Sequence, residues 1–162
     1  MHPIHDVDVL LLLATALAAK RRPAAAVDIV AAIDLLQGNI PGEDKLSESF
    51  SRLAAHGLLH AADDSFALTP TAEKIIQTLP HKGETAERLF RLKDALSIYT
   101  PQGSHPSVEV APESLRVAIL AHRAASQGSA KNLLVPKPKP AAPTGRPGQR
   151  QRKPLPARRR KE

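Results

Sequence analysis

The chain has 162 residues, no cysteine, four aromatic side chains and a formal net charge of +7. Without cysteine, disulfides, thiolate metal sites and cysteine nucleophiles are excluded, and four scattered aromatics cannot build a platform that stacks successive bases. The charge is divided unevenly: residues 1–130 hold 12 Lys/Arg against 15 Asp/Glu, net −3, whereas residues 131–162 hold 11 against Glu162 alone, net +10. A slightly acidic body with a strongly basic end points to a polyanionic partner.

Asp6 and Asp8 open a helix, VLLLLATALAA (Val9–Ala19) fills it, and Lys20–Arg22 close it. Acids at the start and bases at the end suit the helix dipole. The run is apolar on nearly every side, which predicts a buried helix. At eleven residues it is too short to cross a bilayer, which takes about 20. Its basic cluster follows it, the reverse of a secretory signal. A cytoplasmic protein with no membrane contact is expected.

Pro23 is placed to start a second helix over Ala24–Gln37, with Val27, Val30, Ile33 and Leu36 inward and Gly38 ending it. NIPGED (Asn39–Asp44) is a turn. A third helix is expected from Asp44, as N-cap, to His56, with Leu46, Phe50 and Leu53 as its apolar stripe and Gly57 as its stop. Two small strands then form a hairpin around Asp63-Asp64-Ser65. Thr69 caps a further helix with Pro70 at its first position, Ile75, Ile76 and Leu79 pack it back, and Pro80 ends it.

Three helices, a hairpin and a capped helix give winged-helix order. RLAAHGLLHAADDSFALTPTAEKII (Arg52–Ile76) resembles the recognition-helix end, wing and following helix of MarR- and PadR-type bacterial regulators, with Leu58, Leu68, Thr69 and Pro70 where that pattern wants them. The resemblance implies a mainly α fold: a winged helix-turn-helix domain over residues 1–82 with a small β-hairpin wing. It also implies that the third helix enters the major groove of DNA. On that helix a 100° step per residue turns Asp44, Glu48, Ser51 and Ala55 outward, with Lys45, Ser47 and Arg52 flanking them. Lys45, Ser47, Ser51 and Arg52 are the candidate contacts of the body. Two carboxylates near the centre of that face, and Asp63 and Asp64 at the wing tip, depart from the family pattern, because they meet phosphates badly.

Residues 83–128 form a helical extension. Glu84–Tyr99 carries Leu89, Leu92, Leu96 and Tyr99 near one face, and Pro112–Ser126 carries Leu115, Ile119 and His122, with Val117 and Leu120 widening the stripe. These additional C-terminal helices either complete the core or pair two chains as a homodimer through 84–99 and 112–126. Residues 129–162 hold seven prolines and no apolar periodicity. Such a segment cannot bury enough surface to offset its ordering entropy, so a disordered basic tail is expected. Its candidate phosphate contacts are Lys137, Lys139, Arg146, Arg150, Arg152, Lys153, Arg158, Arg159, Arg160 and Lys161, since phosphate neutralisation needs only basic residues of adequate density. PKPKPAAP (Pro136–Pro143) reads as a polyproline II spacer, and TGRPGQ (Thr144–Gln149) faintly resembles an AT-hook centre.

No enzyme chemistry is expected, and no cofactor or metal. His56 and His60 have a metal spacing, but Gly57 breaks their helix. His2, His5 and Asp8 crowd a terminus, His122 sits on an apolar face, and no nucleophile–base pairing or phosphate loop appears. Three function classes follow: a DNA-binding accessory or regulatory protein using its basic tail, a protein-interaction adaptor presenting an acidic face, and a ribosome- or RNA-associated protein.

Overall fold

The leucine run builds the centre of the fold. In a computed structural model, which describes residues 5–134 and side-chain surroundings for 5–128, helix α1 (Asp6–Ala18) packs against more of the other elements than any other does. Leu10, Leu11, Leu12 and Leu13 are each no more than 3% exposed, so all sides of the helix are covered. Removing four leucines from water is worth about 1.5–3 kcal/mol each. Asp8, in the first turn, is as buried as these leucines, which the dipole argument alone does not explain.

Pro23 does not start a helix. Ala24–Ala25 is a two-residue strand, β1, and helix α2 begins at Ala26 and runs to Gln37. Gly38 closes α2 in the left-handed region, φ 67°, a conformation glycine adopts without a Cβ clash. Ile29, Val30 and Ile33 face the core, but Val27 is 38% exposed, because at about 100° per residue it lies roughly 115° around the helix from the centre of that buried stripe. Helix α3 (Glu43–Ala55) begins one residue before the expected cap: Gly42 is the N-cap, and Asp44 lies in the first turn with Glu43. Leu46, Phe50 and Leu53 are buried as their spacing predicts.

Gly57, at φ 67°, turns the chain out of α3 into β2 (Leu59–Ala62), which pairs antiparallel with β3 (Ser65–Leu68). The two-residue link, Asp63-Asp64, has positive φ at both positions, 42° and 60°. This is the turn sense that matches the twist of a hairpin, and aspartate tolerates it. β1 adds to the other edge of β3, with Ala24 opposite Phe66, giving a three-stranded antiparallel sheet in the order β1-β3-β2. Phe66 reaches back onto Phe50, with ring centroids 4.5 Å apart. Thr69 then caps α4 (Pro70–Gln77): its hydroxyl accepts from the Ala72 amide and donates to the Gly57 carbonyl.

Helices α5 (Thr85–Ile98) and α6 (Pro112–Leu134) complete the same core. Leu92 and Leu96 of α5, and Leu115, Ala118 and Ile119 of α6, join one apolar cluster with α1, α2 and α3. Two points differ from expectation. Val117 and Leu120 do not widen the inward stripe but stand 66% and 55% exposed. α6 also runs on to Leu134, into the segment from residue 129 that was expected to lack regular structure. The rest of that segment, 135–162, lies outside the described residues. The chain is thus mainly helical with one small antiparallel sheet, and no helix among the described residues is long and apolar enough to cross a membrane.

Candidate nucleic-acid interface

The outward face of α3 carries the body's four candidate contacts, and the fold treats them differently. Lys45 projects to solvent from the first turn of α3, beside Pro41 and Gly42. Ser47 and Ser51, one helical turn apart, are half-buried beneath the extended segment that leads into α6. Ser47 Oγ donates to the Val110 carbonyl at 2.6 Å, and Ser51 Oγ donates to the Val108 carbonyl at 2.9 Å. Ser51 is therefore not among the most exposed residues of α3. Asp44, Glu48 and Ala55 are exposed, as their angular positions predict.

Arg52 is engaged within the chain. Its Nε and Nη2 reach the two oxygens of Asp8 at 2.8–3.2 Å, the side-by-side geometry in which a guanidinium grips a carboxylate. Nη1 also lies 3.3 Å from Glu48. The Asp8 side chain is wholly buried and the Arg52 side chain is 21% exposed. Hydrogen bonding to Asp8 is the main cause that pushes the Arg52 pKa above its usual value; burial opposes it. A buried carboxylate needs such a partner, and α3 supplies it to α1 across 44 positions of sequence.

Beyond the serines, the segment after α5 is tied to the end of α3. Tyr99 Oη donates to the His56 carbonyl at 2.9 Å, and burial pushes its phenol pKa up. His56 Nδ1 donates to the Arg52 carbonyl at 2.7 Å. Those contacts leave Asp44 and Glu48 exposed on α3 against Lys45 alone as a fully exposed cation, and leave the hairpin tip acidic at Asp63 and Asp64. Such a surface repels phosphate.

Other candidate histidines are dispersed. His60 is exposed on β2, His56 is 8% exposed, and His122 Nε2 lies 2.9 Å from Asp34 Oδ2, joining α6 to α2. Among the described residues no three His, Asp or Glu side chains gather as a metal site. The ten tail residues, from Lys137 to Lys161, lie outside the described residues. Sequence reasoning missed the Arg52–Asp8 pair and the cover over Ser47 and Ser51; the only available signal was an aspartate inside an otherwise apolar helix. Compared with known proteins, the chain matches no family model, no curated protein and no solved structure.

Proposed function

We propose that the protein binds nucleic acid, duplex DNA before structured RNA, through the phosphate contacts of its basic C-terminal segment, with a winged helix-turn-helix of MarR/PadR type as the body. The observation that carries this reading is the charge division, net −3 over residues 1–130 and net +10 over 131–162. Helix, short strand, two helices, hairpin and capped helix, with β1 completing a three-stranded sheet, supports the winged-helix part. Because Ser47, Ser51 and Arg52 are engaged inside the chain, α3 contributes placement rather than base reading. Binding is expected to be strong at low salt and weakly selective for sequence. The role is that of a DNA-associated accessory or regulatory protein in the cytoplasm.

The test compares the full chain with one ending at Leu134 on a duplex of about 24 base pairs. With six to ten phosphates neutralised, log Kd should change with log salt by about 5–9 in the full chain, at 0.9 per phosphate. The shortened chain should lose most of that slope. Stronger binding to ribosomes than to duplex, removable by salt, would instead favour the RNA-associated role. A protein partner that survives removal of residues 135–162 and is lost on Glu48→Lys would favour the adaptor.

The pairing of two chains through α5 and α6 is part of the same proposal. Phe90 and Ile98 on α5 are 72% and 77% exposed, and Val117 and Leu120 on α6 stand out beside them in exposure. Exposed apolar side chains of this size support a self-association that light scattering on the full chain would measure.

A further inference from the structure

The basic cluster after α1 has lost the role that its sequence position suggested. Helix α1 ends at Ala18 with Ala19 as its C-cap, and its last turn holds no basic residue. Lys20, Arg21 and Arg22 lie beyond it, and the helix dipole acts only over the last turn. All three are exposed, and none has an ion-pair partner among the described residues. Among the described lysines and arginines only Arg52, Arg91 and Lys93 are paired with carboxylates; what sets Lys20–Arg22 apart is that the three adjoin one another. The loop is also held in place. Pro23 restricts its backbone, and Ala24, 1% exposed, anchors it to Phe66 through β1.

Its neighbourhood is basic as well. Lys20 shares a surface depression of about 340 Å³ with His81 and Arg88, and Glu73 is the one acid lining it. Arg88 Nε is shut away from water with no acceptor within the described residues. Packing rather than a carboxylate therefore holds that guanidinium in the depression. No other exposed stretch of the described body sets three cations in a row.

We infer that Lys20, Arg21 and Arg22 are a second phosphate-contacting surface, and that this loop, not the acidic outer face of α3, is where the folded body meets a duplex backbone. The inference rests on the nucleic-acid reading above. The placement suits two-point contact. Near Gln127, α6 passes the α2–α3 turn at Gly38–Ile40, and that turn adjoins Asp6 and Val7 at the start of α1. Gln127 of α6 thus lies towards the end of α1 opposite to Lys20, a few residues before the basic segment begins. Thirteen helical residues span about 20 Å, the rise of about six base pairs at 3.4 Å each. The loop and the basic segment together can engage one duplex.

The experiment uses the full chain and the same duplex. Lys20→Ala/Arg21→Ala/Arg22→Ala should lower the salt slope by about 3, at 0.9 per lost phosphate contact, while Arg21→Lys/Arg22→Lys should keep it. In the unaltered chain, bound duplex should protect Lys20 from acetylation. This second readout decides the matter if the triple variant does not fold by circular dichroism. An unchanged slope in a folded triple variant, or a Lys20 equally acetylated with and without duplex, overturns the inference. If the chain ending at Leu134 has then lost its binding, the tail-based function survives that outcome. Failure of the full chain to bind at all removes both.

Discussion

Replacing Arg52 with alanine leaves the Asp8 carboxylate with no cation, at a site where its side chain is wholly buried. Breaking a buried ion pair from that side costs about 3–5 kcal/mol, since the stranded charge cannot recover its hydration. Replacing Asp8 with alanine is milder. The Arg52 guanidinium is 21% exposed and keeps Glu48 at 3.3 Å, so it turns to water and the cost is about 1–2 kcal/mol, the value of lost hydrogen bonds. Removing both charges with Asp8→Leu/Arg52→Met should be close to neutral, because packed apolar groups substitute well for buried pairs. Urea denaturation followed by circular dichroism measures all three. At about 1–3 kcal/mol per molar urea, the Arg52→Ala midpoint should fall about 1 M below that of Asp8→Ala. The pairing argument is refuted if Arg52→Ala unfolds at the native midpoint while duplex binding disappears. That pattern would make Arg52 a nucleic-acid contact instead of the partner of Asp8.

Other consequences are separable. Tyr99 is the single tyrosine, so absorbance titration of the phenol should give a midpoint above the usual 10.0, driven by burial. A raised folded value means that the stability it contributes is complete below about pH 10 and declines as pH rises through the folded value; Tyr99→Phe should remove this alkaline step. Gly38→Ala and Gly57→Ala both force a side chain to φ 67°, a cost of about 1–2 kcal/mol. A Cβ at Gly38 meets open space, whereas one at Gly57 runs into the His105 ring. Gly57→Ala should therefore be the more destabilising in a urea melt, and His105→Ala should restore part of the difference. Leu12→Ala, at a position with no exposure, should cost about 2–5 kcal/mol.

What could be read from sequence was local. The leucine run, the Thr69-Pro70 start of α4 and Gly38 as the end of α2 each depend on neighbours a few residues away, and each stands where it was expected. The hairpin turn expected over Asp63-Asp64-Ser65 is tighter by one residue, because Ser65 already pairs in β3. What could not be read was long-range. β1 is two alanines with no alternating pattern, and its partner Phe66 lies some forty residues on. The stretch from Pro101 to Ala111 has no periodicity, yet its carbonyls cover Ser47 and Ser51. Arg52 sits on α3 at an angle that suits an exposed contact; only the position of Asp8, set by packing of α1 on α3, turns it inward. The same ambiguity acted on Lys20–Arg22, which sequence assigns to the helix end and the fold places beyond it.

One titration bears on the whole account: the affinity of the full chain and of the chain ending at Leu134 for the same duplex, each measured from 50 to 200 mM salt. The full chain should weaken by about 10³–10⁵ over that range, and the shortened one should bind far more weakly at 50 mM and lose a much smaller factor. Equal affinity of the two chains at 50 mM salt would contradict the claim that the cationic C-terminal segment is what holds the nucleic acid.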